Sequence, residues 1–204
     1  MWGPMGWMAL HSISICYPEQ PTHSDKAILE QFMNAFGNCI PCIHCKNHFA
    51  SMFADYKQKV PSWGSSRRDL VLAICRMHNA VNKRLDKPQP KTLSQCIESL
   101  KNATRYSTPS QFREKYIAYL FGDWKNQRST SAGFSAWASV DVMKKINDEY
   151  WSKREVSYSG VSFDEDDVLT YGKILVPPSL KEQLSQSKVS NILARISKRP
   201  LLRM

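Results

Sequence analysis

Apolar residues recur three and four positions apart through the first hundred residues, with no sustained alternation of the kind a strand needs, and this periodicity restricts the segment to packed helices. Trp7, Leu10, His11, Ser14 and Ile15 follow the helical period up to Tyr17-Pro18, where proline ends it. A second helix starts at Ser24 or Asp25, carries Ile28, Leu29, Phe32 and Phe36, and is expected to stop at Gly37. A third begins near Pro41 or Cys42 and bears Phe49, Met52, Phe53 and Tyr56 before Val60-Pro61. The fourth opens at Ser65 or Ser66 with Asp69 in a capping-box position and runs through Leu70, Ile74, Met77 and Val81 to Leu85. Thr92 starts a short fifth. Four amphipathic helices on short connections bury their stripes most simply as a bundle, so the fold expected here is all-α, a four-helix bundle plus a short fifth helix. A core of this size is marginal and gains from a bound cofactor or from pairing of two copies.

The periodic pattern breaks at Arg105-Tyr106-Ser107-Thr108-Pro109-Ser110, which sets an expected domain division into residues 1–105 and 106–204. Thr108 with Pro109 behind it is a strong helix start, and Phe112, Tyr116, Ile117, Tyr119, Leu120 and Phe121 follow. Residues 127–135 read as a polar loop, with further helices expected from about Ser139 to Trp151 and from about Ser179 to Ser197. The acidic run Asp164-Glu165-Asp166-Asp167 and the Pro177-Pro178 doublet separate those two. No chemical motif occurs after residue 110, so this smaller, mainly helical C-terminal domain is expected to pack or interact rather than to catalyse.

No run in the 204 residues approaches the roughly 18 uncharged apolar residues of a membrane span. The opening Met1 to Trp7 lacks a secretory signal, so neither export nor membrane insertion is expected. The net charge of +10 is shared evenly between the two halves with the signs interspersed, the pattern of a solvated surface. Only Arg195 to Arg203 resembles a basic nucleic-acid-binding tail, and no specific nucleic-acid partner is expected. All six cysteines, at 16, 39, 42, 45, 75 and 96, lie in the first half. Without an export signal, a Cys-x-x-Cys is more often catalytic or metal-binding than a structural staple.

Cys39-Ile40-Pro41-Cys42-Ile43-His44-Cys45-Lys46-Asn47-His48 admits three readings on its own. At a helix start, the Cys42/Cys45 pair sits over unpaired N–H groups and the positive end of the helix dipole, which favours a thiolate suited to disulfide exchange. Alternatively Cys39, Cys42, Cys45 and His48 are zinc ligands of a helical interaction protein, although a three-residue spacing fans them around a helix. In the third reading they are buried free thiols. A second cluster, Cys75-Arg76-Met77-His78-Asn79-Ala80-Val81-Asn82-Lys83-Arg84-Leu85-Asp86-Lys87-Pro88, puts Cys75, His78 and Asn82 on one helix face. Such a face suits a planar heterocycle, and Lys83 and Lys87 could meet phosphates.

Together the segments Trp7-Met8-Ala9-Leu10-His11 with Tyr17-Pro18, Cys42-Ile43-His44-Cys45 leading into His48-Phe49, and Cys75 to Asn82 with Leu85 and Lys87-Pro88 resemble, in order, the Erv/ALR family of FAD-linked sulfhydryl oxidases. The resemblance implies a helical bundle that holds FAD, pairs as a homodimer, oxidises thiols of protein substrates to disulfides and reduces O2 to H2O2. It implies Cys45 against the flavin and Cys42 toward substrate. It further implies that Gly3, Trp7, His11, Cys75, His78, Asn79, Val81, Asn82, Lys83 and Lys87 line the cofactor site, with Cys75 bridged to Cys96. Three features depart from the family pattern: a longer Cys75 to Cys96 spacing, the additional Cys39, and Cys16 where an aromatic is commoner. The second, shuttling cysteine pair of many members is also absent, so substrate thiols are expected to reach Cys42 directly. An oxidase segment followed by an unassigned one is similar to the large-DNA-virus form, whose place of action would be the host cytoplasm, the virus factory and the virion.

Overall fold

The structure, a computed structural model, describes residues 2–163 and 167–169. The described residues are helical, with no strand among them: α1 (Trp2–Cys16), α2 (His23–Asn38), α3 (Ile43–Lys59), α4 (Arg67–Arg84), α5 (Leu93–Thr104), α6 (Pro109–Trp124) and α7 (Ser131–Glu149). None of these helices is long and apolar enough to cross a membrane. The helix expected at 179–197 lies outside the described residues.

Most helix starts follow from local side-chain chemistry. Ser66, Thr92 and Thr108 each accept a backbone N–H three residues on, and Thr108 adds Pro109 at the first helical position. Each such cap contributes about 1 kcal/mol. The α2 start corrects the expected one: Thr22 is the cap, and Asp25 is the residue three further on, returning a bond to the Thr22 N–H at 2.8 Å. Gly37 does not end α2. It keeps helical backbone, and the helix runs on to Asn38 with Cys39 as its cap.

The polar loop expected over 127–135 is also corrected. Thr130 caps α7 by accepting the Gly133 N–H at 3.0 Å, so that helix begins eight residues earlier than its apolar stripe suggests. Its small first turn, Ser131-Ala132-Gly133, lies directly on the preceding turn. A Cβ at position 133 would stand 1.9 Å from the Gln127 carbonyl oxygen, a separation only glycine avoids.

α1 packs between α4 and α6, and α2 between α3 and α7, while α6 and α7 pack on each other. The core runs through Leu10, Ile13, Phe32, Phe36, Tyr56, Ile74, Tyr116, Leu120, Val140, Met143 and Trp151. α6 and α7 thus cover the faces of α1 and α2 turned away from α3 and α4. Inside this layer the guanidinium of Arg113, almost fully buried, donates to Asn147, to Ser12 and to the Trp151 carbonyl. The buried Cys16 thiol beside it is pushed up in pKa by desolvation, which outweighs the neighbouring cation. A second apolar cluster joins α4 and α5 around the Cys75–Cys96 disulfide, with Val71, Leu72, Leu93, Ile97, Leu100 and Leu169.

Every described residue belongs to one compact unit. After α5 a short turn leads into α6, which packs on α1.

Candidate active site

Cys42 and Cys45 form a disulfide at the N-terminus of α3. The chain leaves α2 at Cys39, passes the buried Ile40 and then Pro41, and Cys42 enters α3 as its N-cap with extended backbone. The Cys42 sulfur accepts the Cys45 N–H at 3.2 Å. A sulfur held there meets an unpaired donor and the positive end of a 17-residue helix, which together favour the thiolate once the bond opens.

The two cysteines differ in what they face. Cys45 lines a cleft of about 360 Å³, while Cys42 does not. The N-terminal turns of α1 form one wall of the cleft through Gly3, Trp7 and Met8; α3 contributes Cys45, His48 and Phe49; α4 contributes His78, Val81 and Asn82. Arg84, Leu85 and Lys87 close its rim. α4 ends in a Schellman arrangement, in which the Lys87 N–H donates to the Asn82 carbonyl and the Asp86 N–H to that of Lys83. Asp86 takes the left-handed conformation this turn needs, with φ of 51°, and the reversal carries Lys87 to the cleft.

A second cavity of about 230 Å³ continues past Met8, His78 and Asn82, which line both. His11, Asn79 and the Cys75–Cys96 bridge face it, with Pro90, Ser99 and Leu100. Together the two spaces form an elongated, largely apolar trough of the volume usual for a cofactor site.

At the partition His11 Nε2 lies 3.0 Å from His78 Nδ1, and Trp7 stacks almost parallel on the His78 ring at 4.5 Å. Burial lowers the His11 pKa to about 3, with His78 adding to the effect. Burial and the Lys87 charge lower His78 to about 4, so both rings are neutral at physiological pH. Desolvation, with Arg84 adding to it, likewise lowers His48. Two polar atoms at this end have no partner among the described residues: His11 Nδ1 and Asn79 Oδ1. Largely apolar walls that include His11, His78, Asn79 and Asn82 suit a ligand that offers both an apolar plane and hydrogen-bonding edges. Gly3 lines the cleft, and a Cβ there would meet nothing within 4 Å.

Of the residues singled out in the sequence, Gly3, Trp7, Cys45, Val81 and Lys87 line the first cavity, His11, Cys75, Asn79 and Cys96 the second, and His78 and Asn82 both. Lys83 is exposed and lines neither. Sequence reasoning did not assign Met8, Arg84 or Ser99 to the site. It weighed His48 only as a zinc ligand, although His48 follows Cys45 by one turn on the same helix face. The zinc arrangement itself is not supported. Cys39 is buried, its thiol directed at the Phe36 carbonyl and the Met143 sulfur, each 3.4 Å away, while Cys42 and Cys45 are bonded to each other. Desolvation pushes the Cys39 thiol up to about 12. Among the described residues no group of three or more His, Cys, Asp or Glu side chains could hold a metal ion.

A profile of the Erv1 / Alr family matches residues 4–107. The mitochondrial FAD-linked sulfhydryl oxidase ERV1 of Saccharomyces cerevisiae is 37% identical over 87 residues, which cover 43% of this chain and 44% of the yeast protein. The FAD-linked sulfhydryl oxidase of African swine fever virus is 34% identical over 86 residues, 42% of this chain and 69% of the viral one. For the FAD-linked sulfhydryl oxidase ERV1 of Arabidopsis thaliana the identity is 29% over 85 residues, 42% of each chain. The chain thus spans about half the length of the cellular relatives it matches. No solved structure matches it significantly.

Proposed function

Because the chain belongs to the Erv1 / Alr family, we propose that it is an FAD-dependent thiol oxidase, introducing disulfide bonds into thiol-containing protein substrates and reducing O2 to H2O2. One observation carries this reading. Of the bonded pair Cys42 and Cys45, only Cys45 lines the trough, whose walls also carry His11, His78, Asn79 and Asn82.

FAD suits this donor set: Gly3, Trp7, Val81 and Lys87 would hold it beside Cys45, His78 and Asn82 at the partition, and His11 and Asn79 beyond, against the Cys75–Cys96 bridge. Arg84 and Lys87 place positive charge at the rim, where phosphates are favoured. When bound, FAD supplies the two-electron acceptance that restores the Cys42–Cys45 disulfide, and the route of those electrons to dioxygen.

The protein's own steps follow from the placement of the two sulfurs. A substrate thiolate attacks Cys42; a new S–S bond forms, the Cys42–Cys45 bond breaks, and Cys45 leaves as a thiolate inside the cleft. A second substrate thiolate attacks the substrate sulfur of this mixed disulfide and releases Cys42, whose charge is met by the Cys45 N–H and the start of α3. The substrate loses two electrons and two protons and gains a disulfide, and the pair is left as a dithiol. The neutral His11 and His78 add no charge of their own to the trough, and the apolar walls formed by Trp7, Met8 and Phe49 limit water around Cys45.

The catalytic segment in this reading is residues 1–105, with α6 and α7 supporting it. The homodimer implied by the family resemblance would have to form on a surface other than the outer faces of α1 and α2, which α6 and α7 cover. A viral origin, with action in the host cytoplasm, the virus factory and the virion, accords with the viral relative.

The test is the visible spectrum of the purified chain. One FAD per chain, with absorbance that bleaches on anaerobic addition of a dithiol, is the expected result. A colourless protein carrying stoichiometric zinc would overturn the proposal in favour of a zinc-stabilised interaction protein.

A further inference from the structure

Helices α6 and α7 lie beyond the segment that matches the family profile, yet both reach the connection that carries the redox pair. The indole N–H of Trp124, the last residue of α6, donates to the Cys39 carbonyl at 2.9 Å. From α7, the buried Met143 sulfur lies 3.4 Å from the Cys39 sulfur. Within α2, the Cys39 N–H donates to the Ala35 carbonyl and its thiol to that of Phe36. Cys39 is therefore held by three helices, and only Ile40 and Pro41 separate it from Cys42. On the other side of this short bridge, Lys46 donates to the Asn38 carbonyl at 2.8 Å.

A helix C-terminus leaves its last carbonyls without intrahelical donors. At Cys39 that vacancy is filled from α6 rather than by a local cap. The consequence lies in the redox chemistry: a dithiol closes to a disulfide more favourably the better its two sulfurs are held at bonding distance, the same preorganisation that gives intramolecular reactions their high effective molarity. We propose that Trp124 is a positioning residue for the Cys42–Cys45 pair: its hydrogen bond to the Cys39 carbonyl fixes the two-residue bridge into α3 and so favours the disulfide over the dithiol. The inference rests on the thiol-oxidase reading of that pair, and it gives α6 and α7 a role in the reaction beyond covering α1 and α2.

The test uses the full chain as FAD holoenzyme, equilibrated without oxygen in glutathione buffers, so that enzyme disulfide plus two glutathione thiols exchange with enzyme dithiol plus glutathione disulfide. Alkylation and mass spectrometry then count the Cys42 and Cys45 thiols. Trp124→Phe keeps an aromatic ring and removes the donor. Its equilibrium is expected to move toward the dithiol by about fivefold, the weight of one hydrogen bond, with FAD content retained. Fivefold is roughly a 20 mV rise in potential on the 30 mV per decade scale of a two-electron couple. Ile117→Val, two turns earlier on the same helix, trims packing without touching the bridge and should leave the equilibrium where it was. An unshifted Trp124→Phe, or an equal shift from Ile117→Val, overturns the proposal. Should Trp124→Phe fail to fold, Trp124→Leu carries the same test. Loss of FAD binding and dithiol oxidation in the wild type would instead sink the oxidase reading, so the two failures are distinguishable.

Discussion

His11 and His78, 67 positions apart, meet ring to ring at 3.0 Å between Nε2 and Nδ1, and both are held neutral by burial. An unfolded chain would protonate both near the ordinary histidine value of 6.5, whereas the folded chain takes those protons only near pH 4 and 3. Between these limits the unfolded state binds more protons, so folding stability falls as the pH drops from about 6.5 toward 4.

From pH 6.5 to 5 that loss should amount to on the order of 2–3 kcal/mol for the pair. Urea unfolding at the two pH values measures it, and His78→Gln should remove about half of the pH dependence. A stability that is flat over this interval would mean the rings are not buried as described.

The Cys75–Cys96 bridge closes a short loop and lines the second cavity, so it should matter twice. Replacing both cysteines by alanine is expected to lower unfolding stability by about 3 kcal/mol, the value for a loop of roughly this length, and to weaken FAD retention. Thermal melts of the apo and FAD-loaded protein separate the two effects: a variant that melts lower but holds FAD as tightly as before would show that the bridge supports α5 and not the trough.

Two glycines should respond to alanine in opposite ways. At Gly133 the added Cβ would press on the Gln127 carbonyl, and the clash should outweigh the roughly 1 kcal/mol that alanine gains in a helix, leaving Gly133→Ala clearly destabilised. At Gly3 nothing lies within 4 Å, so Gly3→Ala should melt at or slightly above the wild-type temperature while binding FAD more weakly. Calorimetry and flavin titration read the two quantities separately. Equal FAD affinity in Gly3→Ala would remove Gly3 from the site.

These contrasts show which parts of the molecule the sequence exposes. The caps at Ser66, Thr92 and Thr108 were legible because each is a side chain bonding a backbone group three residues away. The start of α7 was not, since Ser131-Ala132-Gly133 has the composition of a loop, and the close approach to Gln127 that requires Gly133 leaves no mark in the local pattern. The candidate site divides in the same way. Cys42 with Cys45, and Cys75 with His78 and Asn82, each lie on one helix at a readable spacing. The meeting of His11 with His78 and the bond from Trp124 to Cys39 join residues 67 and 85 positions apart, which no local pattern encodes. Lys83 lines neither cavity, while the turn at Asp86 brings Lys87 to the cleft, and proximity in the motif does not encode that difference.

In the proposed cycle Cys45, which lines the trough, is the sulfur through which electrons leave the redox pair. Anaerobic dithiothreitol titration of the FAD-loaded chain, followed at the flavin absorbance, tests it most directly. The wild type should bleach fully, whereas Cys45→Ser should bind FAD with unchanged stoichiometry and keep its flavin oxidised over the same interval. Bleaching of Cys45→Ser at the wild-type rate would contradict the account.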